Sequence, residues 1–295
     1  MSEPVKILLQ TTIPHTEDDW HIGRFSLLHE HLLSLTDENG NALYDITARN
    51  REDDESGNDI MLRDLDTSDF DQLWLFAVDT GDGLSTEDCA GISRFRQRGG
   101  GIFSTRDHND LGSSLCTLGG IGAAHYFHSK NPDPDPERHV RDDVFATTID
   151  FPNYHSGSNG DYQKVRVEGD LHELLRRPDG SVIEHFPAHP HEGGVGAVEG
   201  NQYSRVIATS SSKVTGRPFN LVVALDGCRD EHGNQLGRAI AESSFHHLVD
   251  YNWDIDMGCP SFLEEPPGDG IKQNPEGLND IKTYVANVAR WLTGR

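Results

Sequence analysis

A strand, a helix and a second strand follow one another between residues 73 and 105, and this alternation constrains the fold more than any other feature of the sequence. Leu73–Val78 is a continuous apolar run, which is typical of a strand buried on both faces. Ser85 and the acidic residues after it predict the start of a helix, and a triple glycine at residues 99–101 ends it. Ile102–Thr105 follows at once and predicts another strand. This order predicts a parallel α/β sheet.

Further apolar runs extend the pattern toward both ends of the chain. Val5–Gln10 and Ala42–Thr47 predict two more strands, and short apolar runs return at Val182–Phe186, Val206–Ala208, Leu221–Leu225 and Ala239–Ala241, with a hairpin or long turn over residues 226–238. Helical spacing from Trp20 to Leu35 predicts a first helix, and Asn274 and Pro275 begin the last one. We therefore expect a single α/β domain over residues 1–295, with a flavodoxin-like, doubly wound and mostly parallel sheet, helices on both faces and long loops.

The charge of the chain narrows the range of its partners. Its 49 acidic and 25 basic side chains give a formal net charge of −24 at pH 7, and this field repels nucleic acids and anionic membranes. No stretch has the roughly 18 apolar residues that a membrane helix needs, and the N-terminus lacks the pattern of a signal peptide. The four cysteines form no CxxC pair. We expect a cytoplasmic protein that binds a small molecule, neither nucleic acid nor membrane, and we leave a homo-oligomer open.

Reactive side chains follow the strand Ile102–Thr105. Arg106, Asp107 and His108 come directly after it, where a buried strand usually runs into a less reactive loop. Ligands of open α/β sheets bind outside the carboxyl ends of the strands, so this segment predicts a catalytic or binding edge. The alternative is an ordinary polar loop in which Asp107 or Asn109 caps the next helix.

A second candidate segment contains three histidines and a glutamate between residues 185 and 192. His189, His191 and Glu192 are the candidate metal ligands, and His189 is also a candidate general base. The intervening prolines would hold His189 and His191 in extended backbone, on the same side of the chain. The alternative is a solvated loop in a histidine-rich protein.

A third candidate segment follows the apolar run that ends near Glu242. His246 and His247 would lie at the sheet edge, and Asp250 comes one helical turn later, at a spacing that could orient an imidazole. The alternative is that one histidine is buried and satisfied while the other lies at the surface. We favour one functional histidine over two.

The same residues carry a family resemblance. The strand at 73–78, the helix at 85–98, the triple glycine, the strand that runs into a sharp elbow, and the late segment 237–247 resemble the class I glutamine amidotransferase-like superfamily, and within it the ThuA-like (trehalose-utilisation) group. The resemblance implies the fold and the location of the pocket. It implies sugar-related metabolism only loosely, and it supplies no reaction.

One departure from that superfamily bears on the reaction. Amidotransferases place a nucleophilic cysteine at the elbow, and this position falls here on Arg106, or on Asp107 if the register is shifted by one residue. Neither residue can act as a thiolate nucleophile, and Cys116 lies about ten residues too far along the chain. The segment from His189 to Glu192 echoes the histidine and glutamate of the amidotransferase triad, but without the cysteine we do not expect glutamine hydrolysis.

Two hypotheses about function follow. In the first, a histidine oriented by Asp107, Glu192 or Asp250 activates water or a substrate hydroxyl, with or without a bound divalent metal, and Arg106 holds an anionic or polyhydroxylated group. This enzyme would be a hydrolase or isomerase acting on a small polar metabolite such as a carbohydrate derivative. In the second, the chain is a non-catalytic binding or regulatory protein. Because each of the three segments follows or adjoins a predicted strand end, we expect them to converge at one edge of the sheet.

Overall fold

The computed structural model describes residues 3–17, 20–229, 233 and 236–294. The strands are β1 (Val5–Thr11), β2 (Tyr44–Arg49), β3 (Gln72–Phe76), β4 (Gly101–Thr105), β5 (His125–Tyr126), β6 (Tyr162–Lys164), β7 (Arg166–Val167), β8 (His185–Pro187), β9 (Gly194–Val195), β10 (Ser204–Ser211), β11 (Pro218–Leu225) and β12 (Ala239–Glu242). The α-helices are α1 (Ser26–Leu33), α2 (Thr86–Gln97), α3 (Asp250–Trp253), α4 (Gly270–Gln273) and α5 (Pro275–Leu292). Short 3₁₀ helices span Ile22–Phe25, Leu62–Thr67, Ser113–Thr117, Ile121–Ala124, Pro136–Arg138, Glu173–Leu175, Phe245–His247 and Ile255–Met257.

Eight of these strands form the central sheet, in the order β2-β1-β3-β4-β12-β11-β10-β7. Neighbouring strands from β2 to β12 run parallel, and the pairs that involve β11, β10 and β7 are antiparallel. The mostly parallel α/β sheet expected from the alternation between residues 73 and 105 is therefore confirmed. Because β12 pairs with β4, residues far apart in the chain emerge side by side at one edge of the sheet.

The buried strands place alternate residues on opposite faces of the sheet, as the pleat requires. Leu9 and Trp74 belong to the core that packs against α1 and α5. Leu8 and Leu73, their chain neighbours, belong to the core that packs against α2. Helices therefore cover both faces, which explains why these strands are continuous apolar runs.

Both predicted helix starts are confirmed by their caps. The Ser85 side chain accepts a hydrogen bond from the backbone of Asp88, and the Asp88 carboxylate accepts one in return, which forms a capping box at the start of α2. The Asn274 side chain caps α5 by accepting a hydrogen bond from the Glu276 backbone N–H, with Pro275 in the first turn.

The single helix predicted from Trp20 to Leu35 is divided. Residues 22–25 form a 3₁₀ turn, and α1 begins only at Ser26, after Phe25 adopts a non-helical backbone conformation (φ −116°, ψ 25°). The predicted turn over residues 226–238 lies partly outside the described residues. No helix in the described part of the chain is both long and apolar enough to span a membrane.

Candidate functional site

The site lies where β4 and β12 end together. Thr105 pairs with Glu242 in the parallel ladder, so the segments that follow leave the sheet side by side. A third segment reaches the same place through Gly193, whose backbone N–H donates to the Ser243 carbonyl at 3.1 Å. A Cβ atom on Gly193 would lie 2.5 Å from the carbonyl oxygen of Asp107, so only glycine permits this approach. The three candidate segments therefore meet at one edge.

The carboxylate of Asp107 is fully buried and is surrounded by imidazoles. His108 Nδ1 lies 2.8 Å from its Oδ2, while His246 Nδ1 and His189 Nε2 lie 3.4 Å and 3.5 Å from its Oδ1. The Ser244 hydroxyl donates to Oδ1 at 3.2 Å. The structure thus brings together four of the residues that the sequence indicated as candidate catalytic groups, with Asp107 at the centre.

The pKa values in this cluster favour an ionised carboxylate and neutral rings at His189 and His246. Burial opposes ionisation of Asp107, but the facing histidines, above all His246, hold the pKa of this carboxyl well below its usual range. Burial, followed by the neighbouring His246, lowers the pKa of His189 to about 4. Burial also lowers the pKa of His246. At neutral pH the cluster therefore holds an ionised Asp107 beside the neutral rings of His189 and His246.

A second buried network lies next to this cluster and is centred on His247. Its Nδ1 lies 2.6 Å from Glu242 Oε1, and its Nε2 lies 3.0 Å from Glu192 Oε1. Tyr284 donates its hydroxyl proton to Glu242 Oε2 at 3.2 Å. The Glu192 carboxylate accepts further hydrogen bonds from the side chains of Ser156, Gln163 and Ser243.

The two glutamates of this network differ in character. Burial disfavours the charged form of His247, but contacts with Glu192 and Glu242 raise the pKa of its imidazole to about 10. Burial also opposes the charge of Glu192, yet His247 lowers its pKa; for Glu242 burial prevails and raises the pKa. At neutral pH, His247 is therefore an imidazolium paired chiefly with Glu192, which makes it a structural ion pair rather than a base.

The mouth of the cluster is formed by His108 and His191. The His108 side chain is 20% exposed, whereas those of His189 and His246 are 1% exposed. The His191 ring packs edge-on against that of His108, with centroids 5.1 Å apart. His191 Nδ1 lies 3.4 Å from Asn153 Oδ1, its hydrogen-bond partner, and 3.2 Å from Asp143 Oδ2.

Arg106 does not face the mouth. Its guanidinium is fully buried, donates to the Asn109 carbonyl at 2.6 Å and lies over the Phe127 ring at 4.0 Å. Burial lowers its pKa to about 9. In this position Arg106 stabilises the turn that follows β4. The role expected from the sequence, holding a substrate group, would require its side chain to move.

Asp250 also lies outside the cluster. Its carboxylate accepts hydrogen bonds from the Ser26 hydroxyl at 2.7 Å and from the Leu27 backbone N–H at 2.8 Å. These contacts occupy both oxygens at the start of α1. The imidazole of His246 is instead oriented by Asp107, so the helical spacing between residues 246 and 250 does not describe a contact in the structure.

The three ligands expected from the sequence do not point to one place. His189 faces Asp107, His191 faces Asp143, and Glu192 is engaged with His247. Among the described residues, the compact group of potential ligands consists of Asp107, His108 and His189. His189 is therefore the one member of the expected set that belongs to this group.

Several site residues had no clear signal in the sequence. Asp143, Asn153 and Asn159 lie in irregular chain without periodicity, and their roles arise only from tertiary contacts. Glu242 could have been found, because it is an acidic residue at the end of an otherwise apolar strand. Cys116 lies in the 3₁₀ helix Ser113–Thr117, away from the elbow, and burial raises the pKa of its thiol.

Comparison with known proteins gives matches in structure only. No protein-family model and no curated protein matches the chain in sequence. The mmIFT52 N-terminal domain is similar to it with a TM-score of 0.51 at 12% identity, over 97% of each chain. A Trypanosoma brucei CTPS glutaminase domain with bound acivicin is similar with a TM-score of 0.47 at 13% identity, over 97% of this chain and 94% of that chain. A ThuA-like protein from Parabacteroides merdae is similar with a TM-score of 0.43 at 17% identity, over 90% of this chain and 96% of that chain.

At these identities the likeness is one of fold. The mmIFT52 N-terminal domain shares the overall architecture of this chain over nearly its whole length. Fold alone carries no reaction, so the function must be argued from the side chains.

Proposed function

We propose that the chain is an enzyme, a hydrolase or isomerase that performs acid–base chemistry on a small polar molecule beside Asp107. The observation that carries this proposal is one fully buried carboxylate with three imidazoles within 3.5 Å, at the carboxyl edge of a parallel sheet. A buried charge is costly to maintain, and such groups concentrate at functional sites.

His191 is the group best placed to exchange a proton with a substrate. Its Nδ1 lies 3.4 Å from Asn153 Oδ1, an arrangement that leaves Nε2 to accept a proton. Burial lowers the pKa of His191 to about 3, so the ring is neutral at pH 7 and is available as a base. Its ring contacts that of His108, the one imidazole beside Asp107 that reaches solvent. A substrate entering at this mouth meets His191 and His108 first, with Asp107 behind them.

The surroundings favour a small substrate with an anionic group. A cavity of about 450 Å³ borders the buried network through Ser156 and Gln163, and this volume suits a small metabolite. Its wall carries the cationic side chains of Lys164, Arg166 and Lys213. Neither this cavity nor a groove of about 560 Å³ along α5 is lined by Asp107 or its histidines, and the cavity adjoins the cluster only through the two side chains that donate to Glu192. The ThuA-like resemblance implies a carbohydrate-related substrate, and the cationic wall of the cavity favours an anionic one. A sugar acid or a sugar phosphate meets both conditions.

One observation favours the second hypothesis, a non-catalytic binding protein. The elbow carries Arg106 in place of a nucleophile, and its guanidinium is buried rather than presented to a ligand. Such a protein would bind the same small anion without changing it.

The two hypotheses separate in a turnover assay. Untagged protein is incubated with a panel of sugar acids, sugar phosphates and keto sugars, and products are followed by NMR. For the enzyme, we expect His191→Gln to lower kcat by about 100-fold or more, because a general base contributes roughly that factor. His139→Gln is the matched control, because its ring stacks on Phe151 away from the cluster. Binding of a panel member without turnover in the wild type would contradict the proposal and support the binding protein.

A further inference from the structure

Three ligand atoms in the Asp107 cluster face one another without forming hydrogen bonds. Asp107 Oδ2, His108 Nδ1 and His189 Nε2 are shielded from solvent, and none has a hydrogen-bond partner among the described residues. Each of the three side chains contributes a ligand atom within 4.8 Å of the others. Asp107 Oδ2 and His108 Nδ1 are 2.8 Å apart, a hydrogen-bonding distance without hydrogen-bonding alignment. Buried polar atoms are almost always paired, so three unpaired ones on side chains that meet at Asp107 require a physical explanation.

The tautomer of His189 can be derived from its neighbours. The backbone N–H of Gly160 donates to Asn252 at 2.8 Å, which identifies the accepting atom as Oδ1 and leaves Nδ2 as the donor. Asn252 Nδ2 donates to Asn159 Oδ1 at 3.2 Å. Asn159 Oδ1 is therefore an acceptor, and His189 Nδ1, at 2.9 Å from it, must carry a proton. In the neutral ring the lone pair then lies on Nε2.

This tautomer places two hydrogen-bond acceptors opposite each other. The lone pair of His189 Nε2 faces Asp107 Oδ1 across 3.5 Å, an arrangement that is repulsive unless a cation lies between them. Ligand atoms about 2.1 Å from one metal ion are themselves roughly 3.0 to 3.4 Å apart. His108 Nδ1 lies 2.8 Å from Asp107 Oδ2 and His189 Nε2 lies 3.5 Å from Asp107 Oδ1, so each imidazole is close to that range from one carboxylate oxygen.

From this convergence we infer that Asp107, His108 and His189 bind one divalent transition-metal ion. Two imidazoles and one carboxylate form the donor set of catalytic zinc sites and of non-haem iron(II) sites. Three protein ligands leave coordination positions for water or substrate, and the partly exposed His108 places those positions at the mouth. The inference deepens the proposed function and rests on it for the use of the ion, but not for its binding.

Asn159 is then a positioning residue for the metal ligand. It holds the proton of His189 on Nδ1 and so keeps Nε2 available as a ligand atom. Loss of such an outer partner typically weakens metal binding by about 10- to 100-fold. Asn159→Asp keeps the accepting oxygen, whereas Asn159→Leu removes it, and the pair separates positioning from simple packing.

The test is a titration of untagged, metal-stripped protein with Co²⁺ and with Zn²⁺, followed by cobalt absorption and by calorimetry. We expect one equivalent of either metal per chain and a cobalt spectrum with nitrogen and oxygen ligands. We expect His108→Gln to weaken binding by at least about 100-fold, more than an outer-partner variant does. Asn159→Leu should weaken binding, and Asn159→Asp should restore it. His108 is partly exposed, so its replacement leaves the core intact.

His128→Gln provides the control, because this histidine lies outside the cluster, against the Phe151 ring and 4.0 Å from the Asp150 carboxylate. Less than half an equivalent bound by the wild type, or equal affinity in the His108 and His128 variants, would overturn the inference. Metal bound stoichiometrically by a protein without turnover would refute the proposed function alone. Turnover by metal-free protein would refute the use of the ion, while the titration decides whether it is bound.

Discussion

The imidazole rings of His189 and His246 lie parallel, with centroids 3.4 Å apart and an angle of 8° between their planes. Two imidazolium rings in this arrangement would repel each other strongly, so the stack is compatible with neutral rings. Asp107 lies against the edge of both rings and contacts one nitrogen of each. The geometry favours imidazole nitrogens that donate lone pairs, as metal ligands do.

Replacing Asp250 tests whether this residue supports the helix or the site. Asp250→Ala removes the acceptor for Ser26 Oγ and the Leu27 backbone N–H, so we expect the free energy of unfolding to fall by about 1 kcal/mol, as for loss of a helix cap. Cobalt affinity should not change. Urea denaturation and a cobalt titration of the same preparation measure both quantities. Loss of cobalt binding in a fully folded variant would instead show that Asp250 belongs to the site.

The network around His247 predicts unequal costs for its two glutamates. Glu192→Gln leaves a buried imidazolium with its weaker partner, so we expect a loss of about 3 kcal/mol in the free energy of unfolding at pH 7. Glu242→Gln should cost less, because burial raises the pKa of Glu242 and reduces its charge. Urea denaturation of the two matched variants measures the difference. Equal losses, or a larger loss for Glu242→Gln, would contradict this assignment.

The raised pKa of His247 also predicts a pH dependence. A group that binds its proton more tightly in the folded state stabilises the fold fully below its unfolded pKa, near 6.5, and loses that contribution as pH rises through its folded pKa of about 10. We expect the His247 ring signals in NMR spectra to show no titration between pH 6 and 8.5, a range below that folded pKa. A titration midpoint near the ordinary histidine value would show that the ring is not held as an imidazolium.

The fold was predictable from the sequence because its signals are local. The apolar run at 73–78 and the cap at Ser85 specify a strand and a helix within a few residues, and neighbouring strands of this kind pair in a limited number of ways. The division of the first helix was not predictable from spacing. The start of α1 at Ser26 depends on a carboxylate more than 220 residues away, that of Asp250.

The site was predictable only in part. Asp107 and His246 follow strands that are adjacent in the sheet, so the topology brings them together. The partners of Glu192 and the orientation of His189 depend on Asn159 and Gln163, which lie in or beside irregular chain with no periodic pattern. The sequence therefore indicated the histidine-rich segments, but it left Glu192 as either a metal ligand or the orienter of a histidine and did not indicate its contact with His247.

Anomalous diffraction from crystals of the protein grown with Zn²⁺ tests the central claim most directly. We predict a single strong anomalous peak in each chain, about 2.1 Å from ligand atoms of Asp107, His108 and His189. A peak bound by His191 or Glu192 instead would contradict the assigned ligand set. Direct hydrogen bonds between His108, His189 and Asp107, with no peak beside them, would contradict the metal site itself.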